Sequence, residues 1–189
     1  MFSQVIDLPT EFGTFKSFAL KDGHHEHLVI YKGEIENKEC LVRIHSECLT
    51  GDLFHSKRCD CGDQFNQAIK LIAENNGILI YLRQEGRGIG LYHKLNAYSL
   101  QDEGLDTVDA NIELGLPVDN RDYKIVIEIL KKLKPKKIKL LTNNPRKLDS
   151  LKDYIEVTRI PLHTSLKDLN KNYIKTKEEK LYHWKKDDL

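Results

Sequence analysis

Three of the four cysteines in this chain, Cys48, Cys59 and Cys61, fall within fourteen residues. They stand among charged and polar residues rather than in an apolar run: Arg43-Ile44-His45-Ser46-Glu47-Cys48-Leu49-Thr50-Gly51-Asp52, then Arg58-Cys59-Asp60-Cys61-Gly62. Soft thiolates at this density suit zinc (Zn2+) better than any other common divalent ion. Three cysteine ligands leave the fourth tetrahedral position open, and an open zinc activates water, which points to hydrolytic chemistry rather than a zinc-stapled scaffold. The Cys48-x10-Cys59-x-Cys61 spacing is not that of a zinc finger, and His45 is an alternative fourth ligand that would close the site. Cys40 reads as an ordinary buried thiol. His24, His25 and His27 follow a Lys-Asp-Gly turn and read as a solvated loop.

A second group, Arg83-Gln84-Glu85-Gly86-Arg87-Gly88-Ile89-Gly90-Leu91, follows a predicted strand and precedes a predicted helix, where backbone amides can cradle phosphate. Its Gly-x-Gly-x-Gly spacing lacks the interval of a dinucleotide fingerprint, which argues against an NAD-type site. Arginine is the planar fork for phosphate. A glutamate accepts from the N1–H and 2-amino donors that separate guanine from adenine. Asp119-Asn120-Arg121-Asp122 stands at an expected helix start and reads as a cap with first-turn acids. Leu141-Thr142-Asn143-Asn144-Pro145-Arg146-Lys147 follows a strand, at the edge where open α/β sheets bind ligands; helix capping by Asn144 is the simpler reading.

The elements that must position these groups follow from periodicity. Phe12 to Leu20, Leu28 to Tyr31 and Cys40 to His45 alternate as strands, with turns at Asp22-Gly23 and near Asn37. In the third strand Cys40, Val42 and Ile44 form a core face, while Leu41, Arg43 and His45 form a face that leads to Cys48. Gly62 to Asn76 reads as an amphipathic helix with Phe65, Ala68, Ile69, Ile72 and Ala73 on one stripe and Gly77 as its stop. Cys59 and Cys61 precede its N-terminus, where the helix dipole favours thiolate. Ile78 to Leu82 and Ile138 to Leu141 are further strands. Leu91 to Glu103 and roughly Arg121 to Leu133 are further helices, and Asn144-Pro145 opens another. The expected fold is α/β: a mixed sheet with antiparallel N-terminal strands and flanking helices, in a single domain over 1–165. Residues 166–189 read as a polar, Lys-rich C-terminal tail with a composition that allows mobility.

At 189 residues the chain can bury a proper core. Thirty Lys and Arg against 29 Asp and Glu give a formal charge of +1, which demands neither nucleic acid nor an anionic membrane as partner. The basic run Lys131-Lys132-Leu133-Lys134-Pro135-Lys136-Lys137 has no interleaved aromatics and reads as a solvated helix end. No secretory signal and no apolar run of membrane-spanning length is present, so the cytoplasm is the expected compartment.

Taken together and in order, these motifs resemble GTP cyclohydrolase II, the family that opens riboflavin biosynthesis. The similarity runs from about Leu41 to Leu162. It covers Arg43 to Asp52 with Arg58 to Gly62, Arg83 to Arg87 with Ile89-Gly90-Leu91, Ala97-Tyr98 with Leu100-Gln101, and Asp106-Thr107-Val108. Asp119 with Arg121-Asp122, and Leu140 to Pro145 with Lys147, complete it. The resemblance implies zinc, one per chain, on Cys48, Cys59 and Cys61. It implies GTP contacts at Arg43, Ile44, His45, Ser46, Glu47, Gln64, Glu85, Gly86, Arg87, Thr107, Thr142 and Lys147. It further implies Asp119 as proton acceptor, Arg121 as nucleophile, Tyr98 near the purine, Mg2+ with the triphosphate, and a homodimer. The implied reaction converts GTP to 2,5-diamino-6-(5-phosphoribosylamino)pyrimidin-4(3H)-one, releasing formate and pyrophosphate.

Two segments depart from the family pattern. Phe54-His55-Ser56-Lys57 replaces smaller or apolar residues. The C-terminal Thr-Lys-x-x-Lys-x-Gly-His appears as Thr176-Lys177-Glu178-Glu179-Lys180-Leu181-Tyr182-His183, without the glycine. Three other readings compete: a paralogue that keeps formate or pyrophosphate, an NAD-type enzyme, and a zinc-bearing module without turnover. On physical grounds Arg121 also reads as an electrostatic clamp, since arginine is protonated and a poor nucleophile.

Overall fold

In the computed structural model of the chain, residues 1–162, 164 and 170–184 are described. Seven strands form one sheet: β1 (Ile6–Thr10), β2 (Gly13–Asp22), β3 (His25–Lys32), β4 (Glu39–Ser46), β5 (Gly77–Leu82), β6 (Lys137–Leu141) and β7 (Val157–Ile160). Their spatial order is β1-β2-β3-β5-β4-β6-β7. The first four in that order pair antiparallel and the last four pair parallel, with β5 belonging to both halves. The expected mixed sheet with an antiparallel N-terminal portion is therefore the observed one.

Seven α-helices accompany it among the described residues: α1 (Leu49–Asp52), α2 (Cys61–Glu74), α3 (Leu91–Asp102), α4 (Thr107–Glu113), α5 (Lys124–Leu133), α6 (Pro145–Asp149) and α7 (Lys171–Lys180). Two of them cover opposite faces of the sheet. The α2 stripe lays Ile69 and Ile72 on Phe15, Ile30 and Leu79. The α5 stripe lays Val126, Ile129 and Leu130 on Val42, Ile44, Ile78 and Ile80. Each such side chain contributes about 1.5–3 kcal/mol by leaving water. Because both faces are covered, Arg43 and His45 on the second face of β4 are as buried as the core face, at 3% and 2% exposure. Alternation alone had marked that face as polar.

Several boundaries differ from the sequence reading for local reasons. Pro9 removes a ladder donor from β1, which accordingly sits at the sheet edge. Helix α5 begins at Lys124 rather than near Arg121, because Asp119 accepts the Arg121 N–H at 3.1 Å and Asp122 the Lys124 N–H at 2.8 Å, which ties the preceding residues into non-helical turns. Gly77 opens β5 instead of stopping α2; a Cβ there would lie 2.9 Å from the Leu41 carbonyl on the neighbouring strand. His24 and His25 are exposed, but His27 is buried, and its Nδ1 accepts the Arg83 N–H at 3.1 Å. Of the expected tail, 166–169 and 185–189 lie outside the described residues.

Strand β4 lies between β5 and β6. The chain leaves β4 over one face through α2 to reach β5, and leaves β5 over the other face through α5 to reach β6. A crevice opens at the carboxyl ends of parallel strands where successive connections part in this way. Beside it, α1 and α2 touch at two glycines. A Cβ on Gly62 would run into the Gly51 carbonyl, and one on Gly51 would stand 2.9 Å from Cys59 Sγ. Gly62→Ala should therefore force these helices apart and cost about 1–3 kcal/mol, the range for overpacking a tight contact. Urea denaturation reads this as a lowered midpoint; an unchanged midpoint would show that the two turns separate freely.

Candidate active site

The three cysteines converge in that crevice. Cys48 precedes α1, Cys59 lies in the loop before α2, and Cys61 is the first residue of α2. Their Sγ atoms all lie within 4.8 Å of one another, and Cys48 Sγ and Cys59 Sγ stand 3.7 Å apart. Zn–S bonds of about 2.3 Å at tetrahedral angles place sulfurs ~3.8 Å apart, so donor set and spacing fit zinc. Hydrogen bonds from Cys59 and Cys61, joined by the nearby Lys94 ammonium, favour the thiolate at Cys48. Bonding to Cys48 pushes the Cys59 thiol up to about 11. Cys40 is distant from this chemistry; burial pushes its thiol up to about 12. His45 is not part of the thiol group. Its Nε2 stands 3.0 Å from Asp52 Oδ1, and its ring stacks on Tyr81.

Sequence reading missed Lys94, the polar hub of the site. Lys94 is 8% exposed. Its ammonium donates to Glu85 Oε1 at 2.8 Å, Thr50 Oγ1 at 2.9 Å and Cys48 Sγ at 3.2 Å. Burial opposes its charge, but Cys48, Tyr98 and Glu85 outweigh burial and hold it protonated. The available signal was spacing: Lys94 and Tyr98 lie one turn apart on α3, on the face that lines the crevice. Burial pushes the Tyr98 hydroxyl up to about 12. Glu85 also accepts the Leu49 N–H at 2.6 Å and the Gly86 N–H at 2.8 Å, so it ties α1 to the Gly-rich turn and has little acceptor capacity left.

That turn is strained toward the crevice. Gly86, Gly88 and Gly90 have positive φ, as the glycine pattern allows, but Arg87 does too, at φ +59. A left-handed side-chain residue costs about 1–2 kcal/mol. The Asn120 N–H donates to the Arg87 carbonyl at 3.0 Å and pins the turn. Both Arg87 terminal nitrogens are buried with no hydrogen-bond partner among the described residues.

Cations collect beside it. Lys147, 5% exposed, donates to the Ile44 carbonyl at 2.8 Å. Burial lowers its pKa well below the usual range, and the neighbouring Arg43, Arg121 and Lys177 lower it further. Arg43 donates to Leu141 O at 2.9 Å and to Gln64 Oε1 at 2.6 Å. Arg121 forms a two-pronged pair with Asp119, at 2.9 and 2.7 Å. Arg146 approaches the same carboxylate at 2.6 Å. Burial would raise the Asp119 carboxyl, but the arginines hold it down at about 2. Arg121 lines the crevice and, together with Asp119, a second opening. Buried positive charge without matching carboxylates fits a polyphosphate.

Of the other residues singled out in the sequence, Ser46, Glu47, Gln64, Gly86, Thr107 and Thr142 line the same crevice. The Ile44 side chain instead lies in the α5-facing core, and its carbonyl alone meets the site through Lys147. Residues beyond the family-like segment also line the crevice: Tyr173, Lys177, Leu181 and His183. The place of the missing family glycine is taken by Tyr182 at φ +55, a conformation that favours glycine.

Comparison with known proteins places the chain. The sequence profile described as GTP cyclohydrolase II matches residues 3–160. The chain is 54% identical over 184 residues to the riboflavin biosynthesis protein RibBA of Bacillus mycoides, covering 94% of this chain and 46% of that protein. It is 53% identical over 180 residues to GTP cyclohydrolase-2 of Archaeoglobus fulgidus, covering 93% and 48%. It is 50% identical over 181 residues to GTP cyclohydrolase-2 of Campylobacter hominis, covering 96% and 93%. The chain thus spans about half the length of the first two relatives and nearly all of the third.

The thiol geometry gives a direct expectation. Cys59→Ser should lose bound zinc, because a neutral hydroxyl replaces a thiolate poorly, while Cys40→Ser should retain it. Elemental analysis after dialysis measures both; equal zinc loss in the two variants would remove the three-cysteine assignment.

Proposed function

The chain belongs to the GTP cyclohydrolase II family, and from that premise we propose that it hydrolyses GTP to 2,5-diamino-6-(5-phosphoribosylamino)pyrimidin-4(3H)-one, releasing formate and pyrophosphate. The observation that carries this reading is one crevice lined both by three clustered thiols and by Arg43, Arg87, Arg121 and Lys147. A carbon centre to be hydrolysed and a polyphosphate to be held call for those two chemistries side by side.

Cys48, Cys59 and Cys61 hold the zinc in this reading. When bound, the metal supplies water activated for attack at C8 of guanine. Lys94 neutralises the thiolate side of the site and orients Cys48. Tyr98 keeps its proton at neutral pH and is suited to pass it at the ring. Glu47, Glu85 and Gln64 present acceptors to the base. Glu47 spends Oε2 on Arg83 at 2.8 Å, and Gln64 already receives Arg43, so the base must be read with what these groups have left. His45, Ser46, Gly86, Thr107 and Thr142 complete the nucleotide contacts. Arg87 and Lys147 hold phosphates, together with Mg2+ brought by the triphosphate.

Arg121 acts at the α-phosphorus. As nucleophile it would form an N–P bond, expel pyrophosphate and pass a proton to Asp119. As clamp it would stabilise charge on the same phosphorus. The strongly ionised pair at rest favours the clamp, since a carboxyl near 2 is a weak base. The catalytic unit is taken as 1–165, the assembly as a homodimer and the compartment as the cytoplasm. Neither nucleic acid nor a membrane enters as partner; no helix among the described residues is long and apolar enough to cross a membrane.

Two assays test this reading. GTP should be preferred over ATP by about 10⁴, because buried acceptors reject a base lacking the matching donors; comparable turnover of both would remove guanine recognition. Formate and pyrophosphate measured separately should divide the residues. Cys48→Ser should abolish formate release and leave some pyrophosphate release, and Arg121→Ala should suppress pyrophosphate. Arg121→Lys should retain part of it if Arg121 is a clamp and almost none if it is a nucleophile. Near-normal pyrophosphate release by Arg121→Ala would overturn both roles.

A further inference from the structure

Arg87, Arg121, Lys147, Lys177 and the imidazole of His183 all line the same crevice. Burial, then Lys177, Arg121, Lys147 and Arg87 in that order, push the His183 ring down to about 2. Arg87, Arg121 and Lys147 belong to three separate segments of the profile-matched residues 3–160, and Lys177 and His183 to the stretch beyond them that keeps the Thr-Lys-x-x-Lys-x-Gly-His pattern apart from its glycine. Like charges that share one crevice repel one another unless an anion is bound among them.

The segment that carries Lys177 and His183 is tied to the body of the protein along its length. Lys177 donates to the buried Asp60 at 2.9 Å. Lys180 pairs with Asp106 at 2.6 Å and with Asp109 at 2.8 Å. The Trp184 N–H donates to the Asn143 carbonyl at 3.0 Å, and the Arg159 guanidinium lies 4.5 Å from the Trp184 ring centre. Ahead of these anchors in the chain, the Tyr173 ring centre stands 5.9 Å from the Arg87 guanidinium and 4.9 Å from the Lys177 ammonium. Asp60 uses one of the three Lys177 donors, which leaves two for a ligand in the crevice that Lys177 lines.

We propose that residues 170–184 are a phosphate-binding arm, in which Lys177 and His183 complete, with Arg87, Arg121 and Lys147, the subsite for the triphosphate of the substrate. This rests on reading the crevice as a nucleoside triphosphate site. Lys177 supplies a charge-assisted donor, and His183 a ring nitrogen among the phosphate cations. Both residues thereby reach the triphosphate from a segment anchored at Asp60, Asp106 and Asp109. Its charge-assisted contact should be worth about ten- to a hundredfold in affinity for the polyanion.

Calorimetric titration of the full, zinc-loaded chain separates phosphate binding from base binding. The probes are inorganic tripolyphosphate, guanosine, and a GTP analogue with a non-hydrolysable α,β-linkage. Lys177→Ala should weaken tripolyphosphate and the analogue at least tenfold, leave guanosine within about twofold, and be partly rescued in Lys177→Arg. Lys175→Ala, an exposed lysine of the same helix, should change none of the three. Hydrogen exchange on the unmodified chain provides a readout free of folding defects: tripolyphosphate should slow exchange over 170–184. Equal weakening of guanosine and tripolyphosphate, no weakening at all, or unchanged exchange over the arm would overturn the proposal. If the arm behaves as expected while the chain shows no guanine preference and releases no formate, the proposed function falls and the arm stands.

Discussion

The placement of β4 between β5 and β6, with its flanking connections leaving by opposite faces, is the constraint from which the site follows. It brings three carboxyl ends together. After β4 comes the Cys48 turn, after β5 the Arg87 turn, and after β6 the Thr142 turn. Arg87, Arg121 and Lys147 are far from the thiols and from one another in sequence; the sheet makes them neighbours. The antiparallel half of the sheet adds no residue to that edge beyond His27 under Arg83, and serves as the rigid flank on which α2 and β5 rest.

Charge accounting explains which polar residues are structural and which are held ready. Asp52 accepts from His45, the Cys48 N–H and Tyr81, and fixes the turn that aims Cys48. Asp60 receives Gln64 and Lys177, and Asp119 receives Arg121 and Arg146. Glu85 receives Lys94 and two backbone amides. With these carboxylates committed, Arg87 and Lys147 have no carboxylate partner among the described residues. Leaving them so is costly to stability and favourable to anion binding, the usual exchange at a functional site. The left-handed φ of Arg87 belongs to the same exchange.

The thiol side and the cation side of the crevice are coupled through few groups. Lys94 and Glu85 connect Cys48 to the Gly-rich turn, and that turn holds Asn120 beside Arg121. A displacement of Arg87 would be felt at Cys48 through one carboxylate. The arm after β7 joins the same network from outside, since Asp60, between two of the cysteines, is also the anchor of Lys177.

Much of this was legible in the sequence because it is local. The thiol cluster, the apolar stripe of α2, the Asn144–Pro145 start of α6 and the core alternation of β4 each rest on residues a few positions apart, and short-range spacing specifies them. The ordered motifs also identified the family. What only the tertiary structure decided is long-range. Arg43 and His45 are buried because α2 covers a face that alternation marks as polar. His45 turns to Asp52 and leaves the thiols. Ile44 lends a carbonyl instead of a side chain. Lys94 becomes the hub, and Lys177 and His183 reach the crevice from a stretch whose composition reads as a polar, Lys-rich tail. A lysine has the same sequence signature on a surface and in a site. Its role is set by the carboxylates, thiols and cations that folding places around it, and those come from residues tens of positions away.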